Sequence, residues 1–349
     1  MMKLAAGIGV ALAMSLAIPV FASDSVITDA EWTAYRTAYV STEGLVVDTG
    51  NGNISHSEGQ GYGLLLSYLA DDRASFELIW SFTKTELLVR PDGLAAWRWD
   101  ADTTPHISDA NNATDGDILI AYALALAGEK WEQPDKVQVA TGMVETIGKT
   151  LLVPVDDLLL ILPGAAGFTA TDRKDGPVIN PSYWVFEAFP LFAKLTPDID
   201  WKRVGSDGLT MLRKTRIYPA MLPPDWVSLA GSVPEPAAEF PPDFGYNNIR
   251  IPVYLLRAMA DDRQLAPYRK IGNAEGLGRV QVTTDTVLER LTEPGYRLIQ
   301  AALDCQQSGS KIAPELSTFA ATSYYGATLQ LLLLDHLRRN LPQCLTEAN

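Results

Sequence analysis

Residues 111–127 read NNATDGDILIAYALALA, and the stretch from Ile118 to Ala127 is apolar with hardly a polar face. A surface helix carries a polar stripe at a period of 3.6 residues, so a run without one fits a helix buried all round. Asp115 and Asp117 stand directly before it, which puts carboxylates where an inner helix begins. The arrangement recurs. Ser55-His56-Ser57-Glu58-Gly59-Gln60-Gly61-Tyr62-Gly63 precedes LLLSYLA; GYNNIR, Gly245 to Arg250, precedes IPVYLLRAMA; Ser323-Tyr324-Tyr325-Gly326 precedes ATLQLLLLDHL. A ring of such helices with their N-terminal ends on one face gathers these clusters into a single groove. Strand alternation is scarce and no glycine-rich phosphate loop is present, so the expected fold is all-α, a helical barrel with minor β elements in its loops.

Within these clusters Glu58 is the candidate proton donor. A helix N-terminus at the floor of a cleft supplies unpaired N–H groups, and the neighbouring glycines let a bulky ligand approach the backbone. Burial raises a carboxyl pKa, while the helix dipole opposes the rise. The competing reading of Glu58 is a plain capping residue. For Asp117 the structural reading, a first-turn acid complementing the dipole, is preferred over a catalytic one.

Taken together the segments resemble glycoside hydrolase family 8, and in particular its bacterial cellulose-synthesis-associated endoglucanases. SEGQGYG is similar to the segment that carries the family's proton donor, and NNATDGDILIAYALALAG to its signature, whose first aspartate lies in the active site. ILPGAAGF (161–168), INPSYW (179–184), LPPDW (222–226) and SYYGATLQLL (323–332) follow in the family's order. The resemblance implies an (α/α)6 barrel that cleaves internal β-1,4-glucosidic bonds with inversion. It makes Glu58 the general acid and places Asp115 against the sugar at the cleavage point. An inverting pair needs carboxyl groups roughly 6.5–9.5 Å apart, leaving room for the attacking water.

One position departs from the pattern. Where the resembled enzymes read SYDAIR with the aspartate as general base, this chain has Asn247. A neutral amide orients water but does not keep its proton. Either another carboxylate reaches the water, with Asp243 and Asp225 as candidates, or the asparagine was introduced to trap substrate, or the protein chiefly binds glucan. The implied enzyme ranks first, with its base unassigned. Its rivals are an impaired glucan-binding component of cellulose export and a hydrolase of another β-1,4-glycan such as chitosan.

A sugar ring also packs its apolar face on aromatic side chains. The chain has 8 Trp and 13 Tyr. Trp97, Trp99, Tyr183, Trp184 and Trp226 fall in loop segments and are candidates for stacking, with Tyr246 and Tyr324 beside them in the polar clusters. Filling the core is the competing role for each. Arg250 either binds ligand or pairs with a buried carboxylate such as Asp115, and pairing is preferred.

The 349 residues show no long low-complexity linker, and a 47% hydrophobic fraction suffices for one core, so residues 23–349 are read as a single catalytic domain. Residues 1–22, one lysine and an apolar stretch ending Val20-Phe21-Ala22, read as a signal peptide, which implies a secreted or periplasmic protein without a membrane anchor. Export permits a Cys305–Cys344 disulfide, with two free thiols as the alternative. A net charge of −14 argues against nucleic acid and suits a neutral β-1,4-glucan, and the resemblance implies a functional link to a cellulose synthase complex. His56, His106 and His336 lack close pairing in sequence, so neither metal nor cofactor is expected, although Asp115 to Asp117 forms a DxD and His56 could line the cleft.

Overall fold

The computed structural model describes residues 25–273 and 275–346, so the signal-peptide reading of 1–22 lies outside the described residues. Twelve α-helices occur among them. They are α1 (Asp29–Tyr39), α2 (Ser57–Leu69), α3 (Arg73–Phe82), α4 (Thr114–Lys130), α5 (Pro134–Thr150), α6 (Phe189–Leu195), α7 (Trp201–Lys214), α8 (Ile251–Arg257), α9 (Asp262–Leu265), α10 (Pro294–Ser308), α11 (Pro314–Ser317) and α12 (Tyr324–Asn340). The four apolar runs form α2, α4, α8 and α12. In α2 every residue but Glu58 and Tyr68 is buried. Amphipathic helices such as α3, α5 and α7 lie outside them, with Arg213 and Lys214 in the last turn of α7 complementing its dipole.

The inner helices close on themselves. α2 packs on α4, α4 on α6, the turn Phe186–Ala188 leading into α6 on α8, α8 on α12, and α12 returns to α2. This double layer is the (α/α)6 barrel. The α2–α4 contact is close because two glycines permit it. A Cβ on Gly116 would lie 2.1 Å from Ser57 Oγ and 2.6 Å from the Glu58 nitrogen, and one on Gly61 would lie 2.5 Å from Leu119 Cβ.

Short strands fix the loops over the N-terminal ends. Ser55–His56 pairs antiparallel with Arg98–Trp99, which lays the tryptophan loop beside the start of α2. Val178–Ile179 pairs with Val227–Ser228, bringing Asn180 near Asp225. Asp243–Phe244 pairs with Gly276–Gln281, part of a hairpin with Thr286–Leu291. At the other end of the chain Cys305 of α10 and Cys344 are joined in a disulfide.

Candidate active site

Glu58 is the second residue of α2. The His56 imidazole caps this helix: Nδ1 accepts from the Gly59 N–H at 2.9 Å and Nε2 faces Asp48 Oδ2 at 3.2 Å. Because a backbone N–H can only donate, Nδ1 is the acceptor and the proton sits on Nε2, toward Asp48. His56 therefore orients the turn that carries Glu58.

Arg250 joins the acid helix to α4. It is 1% exposed, and its Nη1 lies 2.6 Å from Glu58 Oε2 while Nη2 lies 2.6 Å from Asp115 Oδ2 and 2.9 Å from Ser182 Oγ. The expected pairing of Arg250 with Asp115 is present, and Glu58 shares it. Burial pushes the Asp115 carboxyl up to about 6; the guanidinium opposes this and the Glu58 charge adds to it. Asp117 is buried and pushed up to about 7, again by burial. It accepts from the Ala95 N–H and from Asn112 Nδ2, each at 2.8 Å, so it ties the loop before α4 together instead of facing the groove.

A second network lies beyond Arg250. Ser182 Oγ donates to Asn180 Oδ1 at 2.7 Å, Asn180 Nδ2 donates to Asn247 Oδ1 at 3.1 Å, and Asn247 Nδ2 donates to Asp225 Oδ2 at 3.3 Å. Asp225 also accepts the backbone N–H groups of Gly245 (2.8 Å), Asn247 (3.2 Å) and Asn248 (3.1 Å). Burial raises its pKa against these donors. Asp243 instead directs its carboxylate to Arg279 at 3.3 Å. Ser182 Oγ, which meets both Arg250 and Asn180, joins the two networks, with the Tyr183 ring under the Arg250 guanidinium beside them.

The arrangement can give a proton from one wall and hold a polar ligand against the other. Glycosyl hydrolases family 8 matches residues 9–337. The chain belongs to this family. A probable endoglucanase of Novacetimonas hansenii is 37% identical over 311 residues, covering 87% of this chain and 89% of the relative. An endoglucanase of Cellulomonas uda is 35% identical, covering 68% and 66%. Among solved structures, the endo-beta-1,4-glucanase CMCax from Acetobacter xylinum superposes with a TM-score of 0.79 at 34% identity, over 88% of this chain and 97% of that one.

The aromatic candidates of this family 8 chain divide. Trp184, expected to stack on sugar, is instead a core residue: it is 0% exposed, its Nε1 donates to the Val204 carbonyl, and it packs on Gly208 of α7, so it offers no face to a sugar. Trp226 is half-buried and stacked by Phe168 and Phe240 at 5.5 and 4.6 Å between ring centroids. Tyr183 is buried under the Arg250 guanidinium. Trp97 and Trp99 are half-exposed; Trp97 donates to Asp109 and Trp99 lies against His106. Tyr246 is exposed with Arg279 over its ring, and its hydroxyl meets Glu289. Tyr324 is buried, and its hydroxyl has no partner within the protein, as is true of Ser57 Oγ and Arg250 Nε.

Sequence reasoning missed Asp48, Asn180 and Ser182. The last two lie inside INPSYW, whose polar residues carried the signal that was sought in its aromatics. Among the described residues no group of three or more His, Cys, Asp or Glu stands close enough to hold a metal ion, and no helix is long and apolar enough to cross a membrane.

Proposed function

We propose that this chain is an endo-β-1,4-glucanase that hydrolyses internal bonds of soluble or amorphous cellulose with inversion, Glu58 acting as general acid. One observation carries the reading: Glu58 and Asp115, from the first turns of two inner helices, meet on one buried arginine at 2.6 Å each. With Glu58 protonated, Oε2 accepts from Arg250 Nη1 and Oε1 carries the proton to the departing glycosidic oxygen. Asp115, anchored by Arg250 and by the Gly116 N–H at 2.8 Å, accepts a hydroxyl of the sugar at the cleavage point. The half-exposed Trp97 and Trp99 supply a rim for stacking.

Hydrolysis of carboxymethylcellulose by the chain from Ser23 onward, beside Glu58→Gln, tests this, with product anomers followed by NMR. Loss of about 10²–10⁴-fold in kcat for the variant and an α-anomeric first product are expected. A wild type as inert as Glu58→Gln that still binds cello-oligosaccharides would replace hydrolysis with glucan binding. Export is proposed from residues 1–22 and fits the Cys305–Cys344 bond, since disulfides persist in oxidising compartments. N-terminal sequencing of the secreted protein tests it. A link to a cellulose synthase complex rests on resemblance alone, and co-purification with that complex is its test.

A further inference from the structure

We infer that the proton of the attacking water leaves through Asn247 to Asp225, so that an amide and a buried carboxylate together fill the place of the family's aspartate base. The inference rests on the glucanase reading above and deepens it.

The orientation of every amide in the chain of hydrogen bonds is fixed from its two ends. A carboxylate only accepts, so the nitrogen of Asn247 faces Asp225 Oδ2. The Ser182 backbone N–H only donates, so the oxygen of Asn180 faces Ser182 at 3.1 Å and its nitrogen faces Asn247. Asn247 Oδ1 therefore accepts one hydrogen bond, from Asn180, and keeps a second lone pair. Asn247 is half-buried, whereas Asp225 is 9% exposed and lies behind it.

Direct attack on the water's proton by Asp225 is disfavoured by its own partners. Its two oxygens already accept four N–H groups, two on each, which fills the acceptor sites of a carboxylate. The Asn247 Nδ2 bond is the one through which a proton can reach it. Asp243, the other nearby acid in sequence, is paired with Arg279 and makes no bond to Asn247.

The step balances as follows. The water oxygen forms its bond to the anomeric carbon as the glycosidic C–O bond breaks, and the departing oxygen takes the Glu58 proton. One water O–H bond breaks and its proton passes to Asn247 Oδ1. An Nδ2 proton passes to Asp225 Oδ2, leaving Asn247 as its neutral imidic tautomer. Afterwards Asp225 returns a proton to Nδ2, Oδ1 releases its proton to solvent, and Glu58 takes one up. Asn180 and Ser182 hold the amide plane and do not change protonation.

The test compares Asp225→Asn in two backgrounds, wild type and Asn247→Asp, on carboxymethylcellulose, with melting temperatures to confirm folding. In the native background Asp225→Asn and Asn247→Ala each lower kcat by about 10²–10⁴-fold with little change in KM. With Asn247→Asp the new carboxylate meets the water itself, so the chain stays active and adding Asp225→Asn costs less than about tenfold. An Asp225 that merely holds the loop would produce the same loss in both backgrounds. Equal losses, or native-background Asp225→Asn within about threefold of wild type, overturn the relay. A wild type that is inert while Asn247→Asp is active also overturns it and leaves a glucanase scaffold lacking a base. If both are inert, the glucanase reading falls and the relay with it.

Discussion

Replacing Arg250 by methionine removes the one cation between Glu58 and Asp115 while keeping an apolar stem of similar reach. Arg250 and Asp115 are each 1% exposed, whereas Glu58 is 19% exposed, so it is Asp115 that is left without its cation and with little water to screen it. Breaking a buried pair by deleting one partner costs about 3–5 kcal/mol. At about 2 °C per kcal/mol for a chain of this size, melting at pH 7 drops by about 6–10 °C. The loss depends on pH with a definite sign. Asp115 already has a folded pKa of about 6 against 3.8 for an ordinary aspartate, so its protonated form is the one the fold favours. Such a group lowers stability as pH rises from 3.8 through 6, and without the guanidinium its pKa rises further. The deficit of Arg250→Met therefore shrinks on going from pH 7 to pH 5, and adding Asp115→Asn recovers much of it. Thermal melts of wild type, the single and the double variant at both pH values decide the matter. A loss under about 2 °C at pH 7, or an equal loss at pH 5, would refute the claim that an uncompensated buried charge is the cause.

Other expectations concern the frame around the site. Asp117→Asn turns an acceptor into a donor facing Asn112 Nδ2, and Asn112 cannot turn because its oxygen accepts the Ala165 N–H at 2.7 Å. Denaturant unfolding at pH 7 should show a loss of about 1–3 kcal/mol. The wild type's fall in stability as pH rises from about 4 to about 7, to which Asp117 contributes through its raised pKa, flattens in that variant. Gly116→Ala drives a methyl group into Ser57 and the Glu58 backbone, costing about 1–3 kcal/mol by the same measurement and lowering kcat; unchanged kcat would contradict the close contact. Reducing Cys305–Cys344, 39 residues apart, lowers stability by about 2–4 kcal/mol without loss of activity at 25 °C, read by melting with and without reductant.

The inner helices were legible because a run such as ILIAYALALA has no polar stripe to present to water. Their starting residues were legible for the same reason, since a polar residue abutting such a run has only the helix end in which to lie. Trp184 was misplaced because a tryptophan after the Pro181 turn is compatible with a rim or with a core. What decides is Gly208, 24 residues away, which leaves room for the indole ring. The Asn180–Asn247–Asp225 chain was out of reach because it joins three separated segments. Asn180 and Asp225 are brought together by the pairing of Ile179 with Val227, two short strands that carry no periodic signal. Asp225 and Asp243 looked equivalent in sequence; Arg279, on a hairpin strand still farther along, is what separates them.

The two walls of the groove are built to different tolerances. Glu58 and Asp115 stand on helices pressed together at Gly61, against Leu119, and at Gly116, against Ser57, so little can change there without moving the barrel itself. Asn247 sits on a loop whose backbone is gripped by Asp225 through three main-chain N–H groups, an attachment indifferent to the side chain it presents. Under the relay proposed above, the wall that meets the water can therefore be altered at one residue while the wall that carries Glu58 stays put. On that relay, a change at 247 alters how water is activated and leaves in place the helices that present Glu58 and Asp115.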